Sequence, residues 1–274
     1  MQRFKRAILT HGGAGSNPQN SDGPQAAAVQ GLALLEQGQS ALAAAVQAVK
    51  YLEDDPRFNA GTGSRLRADG KTMQMDASCM TSAGQFGAVA CVEDVQNPID
   101  LAQGVLLYSP CILLVADGAR LFAQQQAIPF WTTRQSPKSN PQANHHPSPD
   151  QAPACDTVGA VTFDGKVFAA ALSSGGLAQA ALGRVGDVPL PGCGLFCGPE
   201  GAVACTGDGE FIALKLLAKE VYNWLAELSP TEAAAKALSL FDPSVDIGLI
   251  ILTKNDFAAQ SRNGMAWSQQ TERD

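Results

Sequence analysis

The stretch "APACDTVGAVTFDGKVFAAALSSGG", residues Ala152–Gly176, changes character in mid-course. Up to Asp156 it continues the tail "RQSPKSNPQANHHPSPDQAPA", rich in Pro, Asn, Gln and Ser and without apolar period. That composition reads as a linker over about residues 133–156. From Thr157 the chain becomes a small apolar run, turns at Asp164-Gly165 and runs apolar again to Ser174, the pattern of a buried β-hairpin. A strand that begins on a threonine, directly after such a tail, has two explanations. Either two folded parts are joined by a linker, or the tail is cut there. In the second case Thr157 becomes a new N-terminus with a hydroxyl and an amine on one residue.

The segments around this hairpin give the fold class. "RAILTHGGAG" predicts a strand entering a Gly-rich loop. The loop lacks nucleotide-loop spacing, so a close backbone approach is the expectation there. "GPQAAAVQGLALLEQG" and "SALAAAVQAVKYLEDD" predict helices, the first ending at Gly38 and the second capped by Ser40. Leu42, Val46, Val49 and Leu52 recur at helical spacing in the second. "SRLRADGKTMQMDASCM" predicts a hairpin about Asp69-Gly70, followed by a strand at "FGAVACV". "NPIDLAQGVLLYS" reads as a helix, "CILLVA" as a strand and "GARLFAQQQA" as a helix. Downstream, "GCGLFC" and "GAVACT" predict strands, Phe211 to about Leu240 two helices, and "DIGLIILT" the closing strand. Strands that come in hairpins, rather than in strict alternation with helices, disfavour a doubly wound sheet. An α+β fold, a four-layer αββα sandwich, fits the order.

Composition narrows the chemistry. The 274 residues, 45% hydrophobic and 16% charged, can bury a sizeable core as one large domain or two small ones. A net charge of -7, with both signs interspersed, disfavours a nucleic-acid partner. No signal peptide or membrane span is expected. Seven cysteines without a CxxC pair read as reduced thiols in a cytoplasmic protein. Cys193 and Cys197 have the wrong spacing for zinc and little histidine to help them. The three histidines are His11, His145 and His146, the last two inside the linker. A Ser-His-Asp triad therefore has little to draw on, and a hydrolase needs another base. A free α-amine on Thr157, with a pKa near ~8, would supply one. Before cleavage the same hydroxyl could attack the Asp156 carbonyl, moving the acyl group from nitrogen to oxygen, and water would then hydrolyse the ester.

"HGGAG", "LEDDPRFNAGTGSRL", "MDASCM", "DTVGAV", "SSGG", "GRVGDVPLPGCG" and "TGDGE" follow one another over nearly the full chain. In that order they resemble the plant-type L-asparaginase and isoaspartyl peptidase family of threonine N-terminal nucleophile hydrolases, which includes glycosylasparaginase and the threonine aspartase taspase. The resemblance implies cleavage between Asp156 and Thr157, with Thr157 as the nucleophile. Residues 1–156 and 157–274 would then be α and β subunits of one folded domain, self-associating as (αβ)2. It implies Asn59 and Ser174 beside the nucleophile, Ser174 standing where the asparaginases usually have threonine. Arg184 matches the residue that grips the substrate α-carboxylate, a task for a planar guanidinium, and Asp187 the acceptor of the α-ammonium. The Thr206 hydroxyl and Gly207 N–H match the oxyanion hole. The chemistry needs no cofactor. The loop resembles a sodium-binding one, with backbone carbonyls at Leu52, Glu53, Asp55, Phe58, Ala60 and Thr62 as hard oxygen donors.

On charge grounds, Arg184 and Asp187 together select a free α-carboxylate and a free α-ammonium. L-Asparagine and β-aspartyl dipeptides carry both. An endopeptidase substrate carries neither, which argues against a taspase-like role, although "SSGG", "GCG" and Asp156 resemble taspase. Glycosylasparaginase fits the same motifs but is typically exported or lysosomal. An uncleaved, inactive scaffold homologue is the reading from another class.

Overall fold

The computed structural model describes residues 2–131 and 157–273, so the expected linker and Asp156 lie outside the described residues. Strand β1 (Phe4–Ala14) leads to helices α1 (Asp22–Glu36) and α2 (Ala41–Asp54). Between the helices Gly38 turns the chain at φ +82°, and Ser40 Oγ accepts the Ala43 N–H at 3.2 Å as the expected N-cap. Next come β2 (Met75–Thr81), β3 (Phe86–Val92), α3 (Pro98–Tyr108), β4 (Leu113–Val115) and α4 (Ala116–Gln125). From Thr157 the order is β5 (Thr157–Phe163), β6 (Phe168–Ser174), β7 (Leu195–Gly198) and β8 (Gly201–Gly207). Helices α5 (Gly209–Leu214), α6 (Leu217–Trp224) and α7 (Pro230–Ser239) precede β9 (Ile247–Thr253), β10 (Phe257–Ser261) and β11 (Met265–Arg273).

Four local expectations are corrected. The stretch at His11–Gly13 is strand rather than loop, because His11 is paired with Gly159 on one side and Trp267 on the other. No hairpin forms about Asp69-Gly70. The turn exists, with Asp69 Oδ1 accepting the Lys71 and Thr72 N–H groups, but β2 already lies between β6 and β3 and has no edge left for a preceding strand. Three helices replace the predicted two, since Leu216 at φ +48° separates α5 from α6. Finally, β9 does not close the fold: β10 extends its sheet and β11 pairs with β1.

The strands form a seven-stranded sheet, β11-β1-β5-β6-β2-β3-β4, and a four-stranded sheet, β10-β9-β8-β7. All neighbours are antiparallel except β3 and β4. Strands from both sides of residues 132–156 thus share the larger sheet, with β1 between β11 and β5 and β6 beside β2. Helices α1 to α4 contact that sheet, α6 and α7 contact the smaller one, and the two sheets contact each other. Side-chain parity follows. In β5, Val158 and Ala160 belong to the helix-side cluster, while Val161 and Phe163 belong to the cluster between the sheets. In β6, Ala169 and Ala171 face the helices and Phe168, Ala170 and Leu172 face the second sheet. Burial on both faces is why this hairpin reads as continuously apolar.

Close approach is enforced at Gly159. A Cβ there would lie 2.3 Å from His11 Nε2 and 2.5 Å from Leu172 Cδ2. Overpacking of this kind costs about 1–3 kcal/mol. Gly159→Ala should therefore lower the unfolding free energy from urea denaturation by that much, and an unchanged value would show that β1 and β5 have room to part.

Candidate active site

Register builds the site. Thr157 opens β5 directly opposite Ser174 at the end of β6, and Ser174 lies opposite Asp76 near the start of β2. Residues on one rung share a face, with Cβ atoms about 5 Å apart. Parity turns this rung toward the second sheet, the side of Val161 and Leu172. Thr157, Ser174 and Asp76 are all buried. The turn beyond Ser174 is held by its own hydroxyl, which accepts the Gly176 N–H at 3.0 Å. Asn59 holds it from the other side: Nδ2 donates to the Gly176 carbonyl at 2.8 Å and the Asn59 carbonyl accepts the Gly175 N–H at 2.8 Å.

Thr157, Ser174, Asn59, Asp76, Arg184, Asp187 and Gly207 line one pocket of about 10 Å³, the space of about one water. Of the residues expected from sequence, Thr206 alone among the catalytic and clamping set stands behind the wall. Its Oγ1 accepts the Ala14 N–H at 3.0 Å, which leaves the hydroxyl proton for another acceptor. Gly207 ends β8 at φ +132°, where a side chain is disfavoured, and a Cβ would come within 2.2 Å of the Asp246 carbonyl oxygen. Asp76 is the charged pocket residue with no role expected from the sequence. Its signal was an acid inside the buried run of "MDASCM".

Arg184 and Asp187 are electrically distinct. Arg184 forms a bidentate pair with Glu210, Nε to Oε1 at 2.9 Å and Nη2 to Oε2 at 2.8 Å. Burial works against the Arg184 charge, but the Glu210 carboxylate overrides it and holds the guanidinium pKa above its usual value. Asp187 has no such partner. Its Oδ2 is buried without a hydrogen bond, and burial pushes its carboxyl pKa up to about 7. Gly209 packs against both, since a Cβ there would lie 2.8 Å from Asp187 Oδ1 and 2.9 Å from Arg184 Nη2.

The family profile described as Asparaginase matches residues 4–274. The chain belongs to the asparaginase family. It is 38% identical to an isoaspartyl peptidase/L-asparaginase of Xenopus laevis, over 97% of this chain and 92% of that protein. It is 35% identical to a plant-type L-asparaginase of Pyrococcus furiosus, over 94% and 93% of the two chains. A Danio rerio isoaspartyl peptidase/L-asparaginase is 35% identical, over 95% of this chain and 91% of its own.

In this asparaginase-family chain the loop after α2 is wound tightly. The carbonyls of Leu52, Asp55, Phe58 and Ala60 accept the N–H groups of Asp55, Phe58, Ala60 and Gly63 in turn, at 3.0–3.3 Å. A carbonyl oxygen has a second lone pair, so these groups keep a donor site for a hard cation. Gly61 lies against the Glu53 carbonyl, where a Cβ would be 2.5 Å from the oxygen. The Glu53 side chain is directed elsewhere, its Oε1 accepting the Ile99 N–H at 3.0 Å at the start of α3. Its burial raises the carboxyl pKa to about 8.

Asp187 gives a stability prediction. Its pKa rises on folding from 3.8 to about 7, so folding favours the protonated acid. The resulting penalty is absent below about pH 4, grows with pH and is complete above about pH 7. Asp187→Asn should stabilise the protein at pH 8, by up to ~4 kcal/mol, and hardly at all at pH 4. Equal effects at both values, by chemical denaturation, would show a carboxyl that is not desolvated.

Proposed function

We propose that this member of the asparaginase family is a self-cleaving amidohydrolase that acts on L-asparagine and β-aspartyl dipeptides through Thr157. The observation that supports it best is the rung of Thr157 and Ser174 opening on the pocket that also holds Arg184 and Asp187. The names of the relatives, isoaspartyl peptidase/L-asparaginase and plant-type L-asparaginase, point the same way.

The steps follow from these groups. The Thr157 hydroxyl attacks the Asp156 carbonyl, the ester forms, and hydrolysis leaves residues 1–156 and 157–274 as two subunits of one fold. The freed α-amine then takes the hydroxyl proton when Thr157 attacks the substrate side-chain carbonyl. Arg184 binds the α-carboxylate and Asp187, ionised, binds the α-ammonium. The Gly207 N–H and Thr206 hydroxyl stabilise the tetrahedral oxyanion. The leaving amine departs, and water, activated by the same α-amine, releases aspartate from the acyl-enzyme. Asn59 and Ser174 keep the 174–176 turn in place beside the nucleophile, as their hydrogen bonds indicate.

We read the layers as the αββα sandwich of the N-terminal nucleophile hydrolases, in keeping with the helix contacts of each sheet. The cut unit pairs as (αβ)2. The exposed Leu107, Tyr108, Ile112 and Val115 around β4 are apolar surface that such pairing could cover. We place the protein in the cytoplasm. Its six described cysteines are free thiols, and no described helix is long and apolar enough to cross a membrane.

Intact mass spectrometry after incubation at neutral pH should give two fragments, the second starting at Thr157. Thr157→Ala should remain one chain and hydrolyse neither substrate. A persistent single mass for the natural sequence, or amidase activity in the variant, would sink the mechanism. The carbonyls of Leu52, Glu53, Asp55, Phe58, Ala60 and Thr62 hold a sodium ion in this reading. Sodium chloride should then raise the unfolding temperature more than choline chloride of equal ionic strength; equal effects would remove the ion.

A further inference from the structure

Arg67 is among the largest fully buried side chains described, 1% exposed, yet it contributes nothing to the pocket surface. Burying an arginine is costly unless its charge is matched and its donors are used. Nε and Nη1 are buried without a hydrogen-bond partner, and the donors that are used, those of Nη2, are used specifically. Nη2 donates to the Gln74 carbonyl at 2.8 Å and to the Arg184 carbonyl at 3.3 Å. Asp76, whose charge offsets that of Arg67, accepts the Gly186 N–H through Oδ2 at 3.2 Å and the Cys91 N–H through Oδ1 at 2.9 Å. The backbone is therefore gripped by a cation before Val185 and by an anion after it. That segment carries Arg184 at one end and Asp187 at the other.

We infer that Arg67 and Asp76 are a buried positioning pair, fixing the separation of the two substrate clamps by holding the Arg184 carbonyl and the Gly186 N–H. The inference rests on the proposed role of Arg184 and Asp187. The pair also touches the nucleophile's side of the pocket. Asp76 shares the rung of Ser174, and Arg67 Nη1 lies 2.7 Å from where a Gly176 Cβ would be. Gly176 has φ +72° and so suits glycine alone on both counts. Arg67 thus backs the clamp segment and the turn beyond Ser174 at once. Neither residue needs to touch the reacting atoms. A clamp displaced by a fraction of an ångström weakens recognition of a ligand that must meet both charges.

The test separates positioning from bulk stability. Arg67→Met leaves the Asp76 carboxylate buried without its counter-charge and should lower the unfolding midpoint. Arg67→Met combined with Asp76→Asn removes both charges and should recover most of it. Positioning requires that the double variant, though stable again, keeps a KM for L-asparagine at least ~10-fold above that of the natural sequence, with a much smaller change in kcat. Its L-aspartate affinity, by calorimetry on the cut protein, should fall in parallel. Arg67→Lys keeps the charge but replaces the planar guanidinium, which fixes where Nη2 meets both carbonyls, with a single ammonium on a flexible stem. It should fold normally and show an intermediate KM, which keeps the inference open to test if Arg67→Met fails to fold. A KM that returns to its original value with the midpoint would overturn the positioning role, as would an unaltered KM in Arg67→Lys and the double variant. If the unsubstituted protein neither hydrolyses asparagine nor binds aspartate, the functional reading fails and takes this inference with it. If it does both and the variants match it, the inference alone fails.

Discussion

The antiparallel register of β5 on β6, and of β6 on β2, is the constraint from which the site follows. It sets Thr157 beside Ser174 and Ser174 beside Asp76. A slip of one residue would turn Thr157 toward the helices and put Val158 in its place, because side chains alternate along a strand. Such a slip is heavily penalised here. Phe163 and Phe168, stacked at 4.4 Å between ring centroids, would leave the core between the sheets, and the alanines facing α2 would be replaced by bulkier groups. The apolar face that makes the hairpin fold is thus the same feature that aims the threonine. Core packing and the placement of Thr157 cannot be varied independently.

Around that rung the chain has accumulated charge in a place with little water. Asp187 is left with an unpartnered oxygen, Arg184 spends one edge of its guanidinium on Glu210, and the buried Arg67 feels the charge of Asp76 at the pocket wall. Unpaired buried groups reduce stability, and a structure retains them where a ligand completes them. An α-ammonium would give Asp187 its missing donor, and an α-carboxylate would find the edge of Arg184 that Glu210 leaves open. A zwitterionic amino acid answers both needs at once. A neutral peptide segment answers neither, and would have to cover a buried carboxyl without pairing it.

Much of this was readable from the chain, and the exceptions share physical causes. The hairpin at Thr157, the helices α1 to α3 and the Ser40 cap carry local signals: period, turn residues and capping chemistry. Thr157, Ser174, Asn59, Arg184, Asp187 and Gly207 were reached through motifs and do converge on one pocket. What was missed is settled by distant partners. Strand β11 is polar and half exposed, and it exists because β1 offers it an edge. The hairpin expected about Asp69-Gly70 fails because β2 has no edge to offer. Asp76 and Arg67 look like an ordinary strand acid and a surface base until the fold brings the Arg184 carbonyl and the Gly186 N–H onto them. Glu210 likewise gains meaning only from the arrival of Arg184.

The base for such chemistry is narrowed by the same geometry. His11 is the one histidine among the described residues, and it lies near Thr157 on the neighbouring strand. Nearness is not competence. It is fully buried, and burial lowers its pKa to about 3 against the opposing pull of the Thr157 backbone. An imidazole held neutral that strongly resists accepting a proton at neutral pH, and it is wedged where Gly159 makes room for the ring rather than for a moving substrate. Of the pocket carboxyls, Asp76 has both oxygens committed to backbone N–H groups, and Asp187 is the acceptor proposed for the ammonium. Arg184 cannot act as a base at all. The group left within reach of the Thr157 hydroxyl is the nitrogen of Thr157 itself, and it becomes a base only when the peptide bond to Asp156 is gone. In the proposed mechanism, a chain that keeps its histidine dry and neutral beside a buried threonine ties its hydrolytic chemistry to its own cleavage.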